Sequence, residues 1–440
     1  MNINDLFLKL KKYNIFDVEY RNNYCKNFSC TIFDDKLENY CVNNTNNCNI
    51  NAIINGKLSV INFDKKINNF NIKNIAENLI NNAKYITKND ELIYKKKRKY
   101  KKFLCFNNKL QKINNKEKIK LIFKINEQIK KFSKNIKKIE VNYNETIGET
   151  IYKNSYNINL KEKYNFFSIS STIVVSDGKN IKTEYLSFND NDLSQFNIKK
   201  YVNQLCKKSL KKLNTCSIKS DKYDVILSPK IVNILTYYYA SQLNAEKILK
   251  KTSWFTNKIN KKVANEKVNI VDTPAEKTLN FTAFDDQGVP TKNKLLIKDG
   301  VLKTYLHNLT TAKLFNTSTT GHAFLNNSKM TIKSHNIHLK PGKISFKKII
   351  ENIDNGVYIT SLEGLHVGIN VENGDFSLKA EGFKIENGKI GKFIDMMTIN
   401  YNLYEIFKNV NCISKNIEYT HKKKYPAIFL KNQCFISCCD

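Results

Sequence analysis

Along the first half of the chain, apolar positions come in short β-branched or aromatic runs, at Phe16 to Tyr20, Ser29 to Phe33, Ala52 to Ile54 and Leu58 to Ile61, separated by polar, asparagine-rich stretches. Such runs predict strands. Ile54-Asn55-Gly56-Lys57 between the last two predicts a type I′ hairpin, because Asn and Gly tolerate the positive φ that both central positions need. The period changes at Ile72 to Tyr85, where Ile72, Ile75, Leu79, Ile80 and Ala83 share one face of a helix. A second helix is expected over Lys116 to Ile136, and strand character returns at Ile139 to Tyr143 and Phe166 to Val175. Met1 to Phe16, with Leu6, Phe7, Leu10 and Ile15 apolar, reads as a short amphipathic helix without the uninterrupted apolar core of a signal peptide.

In the second half, Val225-Ile226-Leu227 is a short buried-strand run, followed by Ser228-Pro229, where serine can cap and proline fits the first helical position. A helix is expected from there to about Lys251. Beyond it, Asp299-Gly300, Asn373-Gly374 and Asn387-Gly388 punctuate runs such as Lys294 to Ile297, Val367 to Val371 and Gly382 to Ile385, a hairpin signature. Helices are expected near Leu309 to Phe315, Ser345 to Asn352 and Leu403 to Asn409. The fold class is therefore α+β in two domains: an N-terminal α/β sandwich-like domain and a C-terminal, mostly antiparallel, barrel-like β domain with flanking helices. The 5 prolines, 11 of the 14 glycines and the 6 histidines all fall beyond residue 228. The polar segment Lys207 to Lys222 marks the change, giving domains of 1–215 and 222–440.

Composition adds a charge of +33, from 73 Lys and Arg against 40 Asp and Glu. About 65 asparagines with few Gly and Pro suggest a codon supply rich in AT, which accounts for part of the lysine excess. The densest basic segment, Lys95 to Lys138, holds 18 Lys or Arg against Glu117 and Glu127, and Tyr94, Tyr100 and Phe103 interleave its first part. It could track phosphates; a solvated loop and helix face is the plainer reading. The 11 cysteines show no CxxC pair, so they read as reduced thiols. No stretch approaches the roughly 20 apolar residues of a membrane span, and a cytoplasmic protein is expected.

Self-sufficient catalytic motifs are missing. No HExxH or relative occurs, and no Gly-x-Ser-x-Gly elbow or phosphate loop. Ser334-His335-Asn336-Ile337-His338 places two imidazoles on opposite faces of an extended segment, more in keeping with surface histidines than with a metal pair. His322, beside Gly321, reads as a structural histidine satisfied by backbone groups or as a catalytic one. Cys434, Cys438 and Cys439 with His421 make no complete four-ligand spacing.

A longer series of segments carries a resemblance. Phe284-Asp285-Asp286-Gln287-Gly288-Val289-Pro290-Thr291, Leu296 to Leu302, Thr319-Thr320-Gly321-His322-Ala323, Pro341-Gly342, Gly356 to Thr360, Glu363-Gly364, Gly374 to Ser377, Glu381-Gly382-Phe383 and Ile385 to Gly388 follow in an order that resembles the C-terminal domain of the TldD/PmbA family. In that family a TldD-like subunit carries an HExxxH zinc helix and pairs with a PmbA, or TldE, subunit that lacks it. Where that motif would stand, this chain reads Leu235-Thr236-Tyr237-Tyr238-Tyr239-Ala240-Ser241-Gln242. The resemblance therefore implies the PmbA-like, non-metallated subunit of a cytosolic heterodimeric zinc metallopeptidase acting on unfolded peptides, such as peptide precursors or antitoxins. It implies no metal and no catalytic residue in this chain, zinc in the TldD-like partner, and peptide contacts placed here at Gly321, His322, Glu363 and Gly364. Two other readings stay open: a nucleic-acid-binding or regulatory protein using the Lys95 to Lys138 surface, and a solitary hydrolase built around His322 and His366.

Overall fold

The computed structural model describes residues 3–63, 71–87, 90–96, 98–102, 105–276, 279, 281–420 and 423–438. Six long strands open the chain: β1 (Asp17–Phe33), β2 (Lys36–Ile54), β3 (Lys57–Phe63), β4 (Ile136–Asn154), β5 (Asn159–Ser176) and β6 (Ile181–Asp190). They form one antiparallel sheet in the order β3-β2-β1-β4-β5-β6. Even-numbered residues of β1 supply two hydrophobic clusters on a single face, as the two-residue strand period requires. Val18 and Tyr20 pack under the helices Ile3–Leu10 and Ile72–Lys84, and Phe28, Cys30 and Ile32 under Asn115–Lys130 and Ile198–Lys211. The odd-numbered face, with Glu19 and Arg21, turns toward the second half of the chain.

That half contains a closed barrel. β7 (Asp221–Leu227) pairs in parallel with the later strand Asn355–Leu362, and all other pairings of the barrel are antiparallel. In chain order the other strands are β8 (Ile270–Asp272), β9 (Lys294–Lys298), β10 (Val301–Leu302), β11 (Ala323–Asn326), β12 (Lys329–Ile332), β13 (Ile337–Leu339), β14 (Asn355–Leu362), β15 (Asp375–Glu386), β16 (Lys389–Asn402), β17 (Cys412–Ile413), β18 (Ile417–Thr420), β19 (Lys423–Tyr425) and β20 (Ile428–Cys438). The ring runs β16-β15-β14-β7-β20 and closes through β16–β20. On β7, Val225 and Leu227 join the large core that also holds the helix Pro229–Ser241, while Ile226 faces a second cluster under the helix Phe346–Glu351. Burial on both faces explains why the run is continuously apolar. A small sheet, β10-β9-β8-β13, and the hairpin β11–β12 lie outside the barrel ring.

The α+β class, the barrel-like second half and the helices after Asn308, Ser345 and Asn402 match the sequence reading. So does the Asn55-Gly56 turn, with φ of 51° and 73°. Other details differ. The four short strands expected in the first 61 residues are parts of three, two of them 17 and 19 residues long. Lys36 to Thr45 of β2 is exposed throughout, its apolar Leu37, Tyr40 and Val42 included, so no inward-outward alternation marks the middle of the hairpin. The helix expected to reach Ile136 ends at Lys130, where the Lys131 N–H closes on Glu127, and Ile136 already begins β4. Ser228 makes no side-chain cap; Pro229 alone marks the helix start, and the helix stops at Ser241 before a separate turn, Ala245–Leu249, capped by Asn244. Val367 to Val371 is no strand, since Leu365–Gly368 is helical, and Asn373-Gly374 leads into β15 without joining two strands.

One ion pair is buried beside the Phe28, Cys30 and Ile32 cluster: Lys118 Nζ lies 2.8 Å from Glu145 Oε1, both side chains 4% exposed, and the Tyr143 hydroxyl donates to Glu145 at 2.7 Å. Truncating one partner leaves the other charge buried alone, which costs about 3–5 kcal/mol. Lys118→Ala is therefore expected to lower unfolding free energy in urea by about 3 kcal/mol, and the double change Lys118→Met with Glu145→Gln to recover most of the loss.

Candidate functional site

Gly321, His322 and the Asp285–Asp286 pair, all singled out in the sequence, lie together where the small sheet of the second half meets the long one. Asp272 ends β8, between Lys294 of β9 and Ile337 of β13 in register, and is fully buried. Its Oδ2 accepts the Nε2 hydrogen of His322 at 2.7 Å, and its Oδ1 accepts the Asn336 amide at 2.8 Å. Lys294 Nζ stands 3.8 Å from the same carboxylate. The other ring nitrogen of His322 lies 2.8 Å from the Thr320 hydroxyl, which also accepts the His307 amide hydrogen at 2.6 Å. The consistent assignment is a neutral His322 that donates to Asp272 and accepts from Thr320. Its ring packs 4.9 Å from that of His335, whose Nε2 donates to the Gly321 carbonyl at 2.7 Å.

Burial pushes His322 down to about 4, against the raising effect of Asp272. Burial alone takes His307 to about 4. Burial opposes the charge on Asp272, but the His322 hydrogen bond and Lys294 hold its carboxyl below the usual range. Lys294 itself is lowered by burial. Gly321 has φ +71°, and a Cβ there would meet the Pro290 carbonyl at 3.2 Å, so the Thr319–His322 turn needs glycine where it crosses the next loop.

That loop is the seam between the halves. Asp285 is buried, and its carboxylate accepts the amides of Gln287, Val289 and Ala323 at 3.0, 2.9 and 2.9 Å. Burial and the neighbouring Asp286 nonetheless push it up to about 7. Asp286 accepts the Leu325 amide at 2.8 Å and pairs with Arg21 of β1. Across the seam, the Tyr152 hydroxyl contacts Glu19 at 2.8 Å and the Gln287 carbonyl at 2.9 Å. Tyr94, Tyr152, Ala283, Phe284 and Val289 form its apolar lining, and Tyr100 donates to the Gly288 carbonyl at 2.7 Å.

Of the expected contact residues, Gly321 and His322 sit in this region, His322 with no exposed surface. Glu363 and Gly364 lie at the end of barrel strand β14, exposed, with Glu363 bonded to Lys379. The described partners of the two pairs have no residue in common. His322 is satisfied chiefly by the side chains of Asp272 and Thr320, not by backbone groups, and His335 is packed inward, not displayed on the surface. Sequence reading missed Asp272, Lys294 and His335 as its neighbours, because they come from three separate strands or turns. The side chain of His366, and His421, Cys439, Phe103 and the Cys438 side chain, lie outside the described residues. Tyr94 and Tyr100 are spent on the seam, so they are not free to stack bases. Lys95 reaches Asp17 at 3.9 Å and lies over the Tyr156 ring at 4.5 Å.

The helix on which the resemblance would seat a zinc motif offers no donor set. Leu235, Thr236, Tyr239 and Ala240 are buried; the Thr236 hydroxyl donates to the Val232 carbonyl at 2.6 Å and the Tyr239 hydroxyl to Val263 at 2.9 Å. Among the described residues no three of His, Cys, Asp and Glu are grouped to hold a metal ion. The residues present do not fit zinc there, and no catalytic step is assigned through it.

The pH dependence of this site has a definite sign. His322 and His307 bind protons more weakly folded than unfolded, so their contribution to stability is complete above pH 6.5 and is lost as pH falls through about 4. His322→Gln should therefore change the slope: the stability difference between the unaltered chain and the variant, from urea titrations, is expected to grow by on the order of 2 kcal/mol from pH 4 to 6.5. A difference independent of pH would contradict a buried, neutral His322.

Comparison with known proteins fits this architecture. The PmbA/TldA metallopeptidase central domain matches residues 108–213 and the PmbA/TldA metallopeptidase C-terminal domain residues 220–436. A metalloprotease PmbA homolog of Buchnera aphidicola is 26% identical over 284 residues, 64% of this chain and 61% of its own length. One from Haemophilus influenzae is 26% identical over 66% of this chain and 62% of its own length. The chain thus spans about six tenths of the length of these relatives. A zinc metalloprotease TldD homolog of Saccharolobus solfataricus is 25% identical over 69% of both chains. TldE from Thermococcus kodakarensis shares the fold with a TM-score of 0.85 and 19% identity over 99% of each chain. With the two domain matches, over residues 108–213 and 220–436, together spanning most of its length, the chain belongs to the PmbA/TldD family.

Proposed function

We propose that this chain is the PmbA/TldE-type subunit of a cytoplasmic two-chain zinc metallopeptidase: it carries no zinc itself, pairs with a TldD-like subunit that does, and helps to hold unfolded peptides for cleavage. The observation that carries this reading is the Pro229–Ser241 helix, whose core-facing positions are filled by Leu235, Thr236, Tyr239 and Ala240 with their polar atoms internally bonded. The TldE fold of a solved neighbour and the PmbA and TldD names of the relatives support it. No helix among the described residues is long and apolar enough to cross a membrane. In this reading His322 braces the Gly321 backbone through His335 and Thr320, while Glu363 and Gly364 offer an exposed contact on the barrel.

Purification of the chain alone is expected to give protein without stoichiometric zinc, and mixing with an HExxxH relative from the same organism to give a complex with one zinc per pair. Zinc bound by the isolated chain, lost on His322→Ala or His366→Ala, would overturn the reading. Changing Lys95, Lys96 and Arg98 to Gln should leave peptide cleavage by that complex unaltered. Tight, steeply salt-dependent binding of nucleic acid by the isolated chain, abolished by the same changes, would instead favour the basic-surface alternative.

A further inference from the structure

The Tyr152 hydroxyl carries one hydrogen and lies within bonding distance of two acceptors on different halves of the molecule, Glu19 Oε1 at 2.8 Å and the Gln287 carbonyl at 2.9 Å. All three residues are nearly or fully buried, with 3, 0 and 1% exposure for Glu19, Tyr152 and Gln287. If Glu19 is ionised, that single hydrogen serves one acceptor and leaves the other facing a bare oxygen. If Glu19 is protonated, it donates to the Tyr152 oxygen and Tyr152 donates to Gln287, and both contacts are hydrogen bonds. We infer that Glu19, Tyr152 and Gln287 form a proton-gated latch between the long sheet and the Asp285–Pro290 turn, closed when Glu19 holds a proton and loosened when it ionises.

The surroundings favour the closed, neutral form. From β1 itself, Arg21 is engaged by Asp286. From β2, the Asn51 amide donates to Glu19 at 3.5 Å. From the turn, the Asp285 carboxyl faces it; from β5, Glu162 accepts the Ala283 amide at 2.7 Å; and from the 91–100 segment come Glu91, held by Thr310, and the phenols of Tyr94 and Tyr100. Burial is the main reason that Glu19 rises to about 7, with Asp285 adding to it and Tyr152, Asn51 and Arg21 opposing. Burial and the nearby Glu19 also keep the Tyr152 phenol protonated well above its usual range. The Tyr152 ring packs so closely on Gly288 that a Cβ there would meet it at 2.4 Å.

The latch matters because the turn carries the site backbone. Asp285 and Asp286 bond Ala323 and Leu325 of β11, Gln287 Oε1 accepts the Leu309 amide at 3.0 Å, and Gly321 rests on Pro290. Loosening the turn therefore loosens the Thr319–Leu325 segment. The sign follows from linkage: closed, Glu19 titrates at about 7, and released, at the ordinary 4.5, so opening becomes easier as pH rises between those values and levels off above.

Hydrogen exchange of the amides in 283–291, corrected for intrinsic rate, tests this between pH 5 and 7. Glu19 should contribute a rise in the opening constant of about tenfold per pH unit. Asp285 shifts in the same direction, so the decisive readout is the comparison with Glu19→Gln, whose amide can donate to Tyr152 at every pH. That variant should show a slope smaller by one proton, and infrared spectra near pH 5.5 should lose the carbonyl band of one protonated carboxylic acid. Equal slopes in the two proteins would overturn the latch. Should Glu19→Gln fail to fold, Tyr152→Phe supplies the test: it should shift that band by removing its partner, and an unmoved band would overturn the latch equally.

Discussion

The structure depends on filling the seam between two halves with polar groups that answer one another. A loop that crosses a buried interface carries backbone donors and acceptors that water cannot reach, and leaving one unpaired costs about 1–3 kcal/mol. The Phe284–Thr291 turn meets that constraint by wrapping three amides around the Asp285 carboxylate and closing on itself through Asp285 N–H to Val289 and Gly288 N–H to Asp285. The long sheet answers with Tyr152, Glu19 and Arg21, all on the one face that its helices leave uncovered. At the opposite end of the first sheet, Lys182 and Lys212 reach Asp395 and Glu381 of the barrel, so the halves are tied at two separated places. The position of the Thr319–His322 segment follows from the first of these ties.

Much of this was legible in the chain. Type I′ turns at Asn55-Gly56 and Asn387-Gly388, the strand Val225 to Leu227 and the helices near Leu309, Ser345 and Leu403 are local signals, and local geometry obeyed them. What could not be read was non-local. In the long hairpin of β1 and β2, both faces of Lys36 to Thr45 meet solvent, so polar residues and exposed apolar ones such as Tyr40 and Val42 mix there with no period to register. Gly321 and His322 were identified from their own neighbourhood, yet Asp272, Lys294 and His335, which fix the state of His322, lie between 13 and 50 positions away and meet only through the β8–β9 and β8–β13 pairings. In the 94–100 part of the basic run, Tyr94 and Tyr100 turn inward to the seam while Lys95, Lys96, Arg98 and Lys99 are exposed, a pattern that also resembles a stacking surface.

These features bear on function through what each element is free to do. The inward positions of the Pro229–Ser241 helix hold leucine, threonine, tyrosine and alanine, which pack the core and offer no metal donor set, and the supporting role proposed for this chain rests on that packing. The acid-weakened histidines and the acid-favoured carboxyls Glu19 and Asp285 act in opposite directions between about pH 4.5 and 6.5, which flattens the overall dependence of stability on pH while leaving the seam itself responsive. In the proposed two-chain enzyme, that seam supports the backbone nearest to the expected peptide path.

The most direct measurement is cleavage of an unstructured peptide by this chain alone, by a zinc-motif relative from the same organism alone, and by the two together at equal concentration. The account predicts hydrolysis that depends on the mixture and disappears when the relative's motif is altered. Hydrolysis by this chain alone, at a rate unchanged by adding the relative, would contradict it.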